Sequence, residues 1–165
     1  MPNAPLHSLP PVGQNQKAVL TNALESDVAL TSNDLSFVVS DMRRALEFYR
    51  LLGLPIPAGA LLNAAGESED YLRVSQGGQR IAWETEGLMR QLNPAWTRPA
   101  GQGVGMALLA DNPAEIDGAC ERVQGDGHTV LTALWDALWG QHSTTVLDPD
   151  GYRLDVFAWL PGQPT

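Results

Sequence analysis

Cysteine is nearly absent from this sequence. Cys120 is the sole one among 165 residues, which excludes an internal disulfide framework and points to a reducing, cytoplasmic setting. Basic residues are also scarce. Ten Lys and Arg stand against nineteen Asp and Glu, a formal charge of −9 and a pI near 4.6. Nucleic acid and anionic membrane surfaces need a basic face, so neither is an expected partner. No apolar run approaches the ~20 residues of a membrane-spanning helix. The first residues lack the charged-then-apolar order of a secretion signal. Phe and Tyr are few, three of each, yet there are five Trp. Hydrophobic residues make up 44% of the chain, enough to bury a core.

Four segments divide the chain. Residues 1–30, rich in Pro, Asn, Gln and Ser, read as an N-terminal arm. Residues 31–92 open with the strand-like Leu35-Ser36-Phe37-Val38-Val39. Asp41 is an N-cap candidate for a helix whose apolar positions Met42, Ala45, Leu46, Tyr49 and Leu52 share one face. Gly53, Pro55 and Pro57 end it. A short, weak strand is expected within residues 58–67. A hairpin is expected around Gly77-Gly78, from Asp70 to Thr85, followed by a helical turn from Leu88 to Leu92. Residues 93–103, with Asn93-Pro94 and Pro99, read as a linker.

Residues 104–161 repeat the same order. An apolar strand from Val104 to Ala110 leads into Asp111-Asn112-Pro113. The helix that follows has Ile116, Ala119, Cys120 and Val123 at helical spacing, with Gly125 and Gly127 at its end. A strand from His128 to Leu134 comes next. The chain closes on a hairpin from Trp139 to Phe157, whose turn Asp148-Pro149-Asp150-Gly151 combines a fixed φ, a side chain that bonds its own backbone, and a glycine. Two tandem βαβββ modules are the simplest account of this repeat. Each small sheet needs its helix and the other module to bury its apolar face. An α+β fold follows, with curved mixed sheets around a cleft.

That order, with Trp139-Gly140 ahead of a hairpin turned by Asp-Pro-Asp-Gly, resembles the vicinal oxygen chelate superfamily over roughly residues 34–161. The superfamily includes glyoxalase I, extradiol dioxygenases and bleomycin-resistance proteins. Leu46-Glu47-Phe48-Tyr49-Arg50, Arg80-Ile81-Ala82-Trp83-Glu84-Thr85, Asn93-Pro94-Ala95-Trp96 and Trp139-Gly140-Gln141 are similar to its mitomycin-resistance, drug-binding branch.

The resemblance implies metal positions, and they can be tested residue by residue. The first His position matches Asp34. The second matches Gly105, which has no side chain to donate. The last carboxylate matches Asp155. Divalent metal chemistry needs nitrogen and oxygen ligands to converge, so no metal, no cofactor and no catalytic group is expected. His7, in the arm, and His128, expected as a surface or cap residue, do not repair the set. His142 on the last hairpin is a candidate general base, with its face left open. Cys120, on an apolar helix face, is expected to be buried and inert.

Strand alternation, phased by the matched positions, turns Asp34, Ser36 and Val38 toward the cleft, with Arg80, Ala82, Glu84, Gly105, Ala107, Leu109, Arg153, Asp155 and Phe157. Leu35, Phe37, Ile81, Trp83, Met106, Leu108, Leu154 and Val156 take the opposite, helix-covered face. Trp83, Trp96 and Trp159 are expected in the core or a dimer interface. Trp135 and Trp139 are expected at the cleft mouth, as packing groups or as stacking groups for a ligand.

The expected binding residues are Ser36, Val38, Arg80, Glu84, Ala107, Trp135, Trp139, Arg153, Asp155 and Phe157. The expected ligand is a planar aromatic or quinone-like molecule, held without metal, as in antibiotic sequestration. The alternative is a divalent-metal-dependent lyase, isomerase or dioxygenase with a carboxylate site on Asp34, Glu84 and Asp155. The resemblance also implies a homodimer.

Overall fold

Two small sheets and the helices between them account for the fold. The computed structural model describes residues 32–61, 66, 69–101 and 104–163. The arm expected at residues 1–30 lies outside these, as does part of the weak strand expected at 58–67. The first sheet holds β1 (Leu35–Val39), β2 (Tyr71–Gln76) and β3 (Gln79–Thr85) in the order β1-β3-β2. The second holds β4 (Met106–Leu109), β5 (Val130–Asp136), β6 (Gln141–Leu147) and β7 (Arg153–Trp159) in the order β4-β7-β6-β5. β1 pairs in parallel with β3, and β4 with β7; the other pairs are antiparallel. The two sheets thus follow one plan. β5 has no described counterpart in the first sheet, where Ala58–Leu61 form a 3-10 turn.

The helices start where the caps permit. α1 (Met42–Leu51) begins after Asp41, whose carboxylate accepts the Arg44 N–H at 3.0 Å. Gly53, at φ 87°, takes the left-handed conformation that ends it. α2 (Glu86–Leu92) begins earlier than Leu88, because Thr85 accepts the Leu88 N–H and caps it. α3 (Pro113–Gly125) is capped, within the expected Asp111-Asn112-Pro113, by Asn112, whose side-chain oxygen accepts the Glu115 N–H at 3.2 Å. Its C-terminal turn closes with the His128 N–H on the Val123 carbonyl at 3.0 Å. The His128 ring packs edge-on against Phe48 at 4.9 Å, so His128 is a cap that also packs. No helix among the described residues is long and apolar enough to cross a membrane.

One core serves both sheets. Phe37, Val39, Met42, Leu46, Phe48, Tyr49, Ile81 and Trp83 join Met106, Ile116, Val123, Val146, Leu154 and Val156 in a single buried cluster. Fully burying one such side chain contributes roughly 1.5–3 kcal/mol. Cys120 is buried within α3. α1 meets α3 through Arg122 Nε, which donates to the Leu51 carbonyl at 2.8 Å.

A buried polar link ties α1 to the last hairpin. Tyr49 Oη donates to Asp148 Oδ2 at 3.0 Å, while Asp148 Oδ1 accepts the Asp150 and Tyr152 N–H groups. Burial raises both groups above their ordinary values, and for Tyr49 the adjacent Asp148 carboxylate adds to the effect.

The expected facing holds on nearly every strand. Phe37, Ile81, Trp83, Met106, Leu154 and Val156 are buried under the helices. Leu35 departs from this: it is 36% exposed, because β1 is an edge strand and Leu35 is its first residue. Trp159, expected in the core or a dimer interface, keeps the alternation of β7 but is not in the core. It alternates with Ala158 onto the open face of β7, half-buried, with its ring 6.1 Å from Phe157. Trp96 is half-buried against the Arg90 guanidinium at 5.6 Å, so Trp83 alone of these three lies in the core.

Candidate functional site

Each sheet has one face under helices and one face open. Register defines the open face of the second sheet as rows. Leu109 pairs with Phe157, Phe157 with Ser143, and Ser143 with Trp135. Ala107 pairs with Asp155, and Asp155 with Thr145. Gln141 pairs with Trp159, and Leu147 with Arg153. The face therefore has an aromatic end, built from Trp135, Phe157 and Trp159, and a polar end. At the polar end Arg153 Nη2 donates to both Asp155 oxygens at 3.0 and 2.8 Å, and Thr145 Oγ1 donates to Asp155 Oδ1 at 2.7 Å.

Trp139 stands in the turn before β6. Its ring meets Trp135 edge-on at 5.3 Å, and its Nε1 donates to Gln141 Oε1 at 2.7 Å. Trp135 and Trp139 are 41% and 59% exposed. They pack on each other and still present apolar surface.

The open face of the first sheet is more polar. Ser36 pairs with Ala82 and Val38 with Glu84; Arg73 and Tyr71 lie opposite Ala82 and Glu84 on the other side of β3. Ser36 Oγ reaches Glu84 at 3.4 Å, and Arg73 stands 3.5 Å from Asp34. Arg80 is exposed at the start of β3, opposite Ser75. Ala82, though in the open phase, is fully buried.

Of the ten expected binding residues, the structure thus places Ser36, Val38, Arg80 and Glu84 on one sheet. Ala107, Trp135, Arg153, Asp155 and Phe157 stand on the other, with Trp139 beside them. Ser143, Thr145 and Trp159 share the second open face and were not singled out from sequence. The hairpin turn held the signal, since pairing Leu147 with Arg153 brings Thr145 beside Asp155 and Ser143 beside Phe157.

His142 lies on the helix side of β6, opposite Ala158. Its Nδ1 is 2.6 Å from Asp136 Oδ1 on β5, and its Nε2 is 2.9 Å from Asp117 Oδ1 on α3. These carboxylates, Asp136 foremost, raise it above the ordinary imidazole value. A histidine so held bridges three elements and does not face the open sheet, so the candidate general base is a structural group.

A divalent metal, which the fold implies, does not fit these residues. Asp34 is shared with Asn33 and Arg73. Gly105 offers no donor, and Asp155 is held by Arg153 and Thr145. Among the described residues no group of three or more His, Cys, Asp or Glu side chains is arranged to hold an ion. The alternative site on Asp34, Glu84 and Asp155 is divided between the two sheets.

Known proteins agree with the architecture. A solved protein from Nocardioides, described as a glyoxalase/bleomycin resistance protein/dioxygenase, superposes with a TM-score of 0.58 at 24% identity, covering 90% of this chain and 97% of its own. A lactoylglutathione lyase from Agrobacterium tumefaciens superposes with a TM-score of 0.54 at 21% identity, covering 81% and 96%. In sequence, an uncharacterized protein of Mycobacterium tuberculosis is 28% identical over 151 residues, 87% of this chain and 79% of the relative. The model of the Glyoxalase/Bleomycin resistance protein/Dioxygenase superfamily matches residues 31–156, and with the two sheets built on one plan this chain belongs to that superfamily.

Proposed function

We propose that this protein binds a planar aromatic or quinone-like small molecule without metal, in the manner of the drug-sequestering, mitomycin-resistance-like members of its superfamily. The observation that carries this reading is the open face of the second sheet. It sets the aromatic row of Trp135 and Phe157 beside the Arg153–Asp155–Thr145 cluster. A flat ring gains dispersion and desolvation on the aromatic end, and polar groups on its rim find a donor and an acceptor at the other. Asp155, already neutralised by Arg153, orients a ligand rather than coordinating an ion. A homodimer would cover the two open faces, which lie on separate sheets within one chain. Titration with menadione and anthraquinone-2-sulfonate, followed by tryptophan fluorescence, tests the reading. Saturable quenching that persists in chelator supports it, and quenching that disappears with chelator overturns it.

A further inference from the structure

Arg122, on α3, is a cation that no carboxylate answers. Its Nε is spent on the Leu51 carbonyl at the end of α1. Both Nη groups remain, which leaves the end of the guanidinium fork with its N–H donors. The carboxylates nearby are engaged elsewhere. Glu47 pairs with Arg43, and Asp126 with His128. Glu115 accepts from the Asp111 N–H at 3.2 Å and from Asn112 Nδ2 at 3.1 Å. Among the described residues, none of these three pairs with Arg122.

The guanidinium lies at the wall of a cavity of about 500 Å³, bounded by the end of α1, by α3 and by β4. Gly118, one helical turn before Arg122, belongs to the same wall. A Cβ on Gly118 would meet Arg122 Nη1 at 3.2 Å and no other side chain within 4 Å. The missing side chain is therefore what lets the guanidinium end lie against this wall. Leu54, Leu108, Ile116 and Val156 supply an apolar lining. Leu108 and Val156 face the helices, so the cavity lies on the covered side of the second sheet. Glu115 lines it too, but seven residues separate it from Arg122. That is about 10 Å along a helix, a full Debye length at physiological salt, and its oxygens are held at the start of α3.

We propose that this cavity binds a small monocarboxylate with an apolar body, its two oxygens on the Arg122 Nη pair and its body on Leu54, Leu108 and Val156. A guanidinium edge and a carboxylate match in charge and in spacing, through two parallel N–H···O bonds. An amine would bring like charge to Arg122. A neutral amide would offer one oxygen and no charge. A dianion such as a phosphate ester would find a single cation, with Glu115 in the same wall. The proposal does not rest on the quinone reading, which concerns other residues.

The test uses the full chain, with 3-phenylpropanoate, 3-phenylpropanamide and 3-phenylpropylamine as probes of one body and three head groups. Amide NMR resonances report the place of binding. 3-Phenylpropanoate should shift Leu54, Gly118 and Ala119. The amide should bind about tenfold more weakly and the amine more weakly still, as the loss of a hydrogen bond to a charged group dictates. Arg122→Gln should weaken the acid by about tenfold or more and bring it level with the amide. Gly118→Glu places a carboxylate four residues before Arg122, the favourable order for an ion pair along a helix. It also replaces a glycine in a helix interior with a better helix former. It should therefore fold, occupy the Arg122 fork from within and abolish binding of the acid, and it decides the matter if Arg122→Gln fails to fold. No shifts with 3-phenylpropanoate, equal binding of the amide, or unchanged binding of the acid in a folded variant overturns the proposal.

Discussion

Replacing Tyr49 with Phe removes one oxygen from the middle of the molecule. Tyr49 is fully buried and Asp148 is 4% exposed, so no water stands ready to replace the lost donor. The ring and its contacts with Phe37, Phe48 and Trp83 remain, so no cavity opens. What changes is Asp148 Oδ2, left buried without its 3.0 Å partner. A hydrogen bond to a charged group is worth about 1.5–3 kcal/mol, and stranding its acceptor places Tyr49→Phe in the upper half, about 2–3 kcal/mol. For a chain of this size that lowers Tm by roughly 5–10 °C.

The pH dependence sharpens the test. Burial already raises Asp148, so its charged form weighs against the folded state as pH rises through the folded pKa. Tyr49 offsets part of that penalty by donating to the charged form. Removing it raises Asp148 further. The deficit of Tyr49→Phe should therefore grow from about pH 4 to pH 7. Urea denaturation of both proteins across that range, with equal slopes, is the assay. A deficit below about 0.5 kcal/mol, the scale of an ordinary surface change, or one that grows toward acid, refutes the assigned link between α1 and the last hairpin.

His142 has its folded value raised by Asp136 and Asp117, so the stability it contributes is complete below its unfolded value of about 6.5 and is lost as pH rises through the folded one. His142→Gln should flatten that loss in thermal melts recorded between pH 5 and 9. Phe157→Ala, on the open face, should weaken quinone binding by about tenfold, the scale of an aromatic contact, while Tm moves little. Gly140→Ala should cost about 1 kcal/mol or more by denaturant melts, because φ is 89° there and an added Cβ would meet the Gln163 side chain at 2.6 Å.

Much of the fold was legible because it rests on short periods. Alternation along β1, β3, β4 and β7 separated Phe37, Trp83 and Val156 from Ser36, Glu84 and Asp155, and burial follows that division. Asp41 and Gly53 marked the ends of α1, and Asp-Pro-Asp-Gly marked the last turn. What escaped depends on register between distant strands. His142 could be assigned to a face only by its pairing with Ala158, and Trp159 by its place beyond Phe157. The link from Tyr49 to Asp148 spans 99 residues, and no local pattern encodes it. Arg98 looked like part of a featureless linker, yet it joins Glu86 to Asp150. The two repeats already assigned the expected positions to separate sheets, but which side chains share a row, such as Ser143 beside Phe157 and Thr145 beside Asp155, depends on register between strands.

The central claim, binding without a metal, is tested most directly by pairing elemental analysis with calorimetry. The protein is purified without chelator, its divalent metal content is measured, and menadione is titrated into it before and after treatment with EDTA. The account predicts far less than one metal per chain and the same Kd in both titrations. Stoichiometric metal together with binding that is lost on stripping and restored by resupply would contradict it.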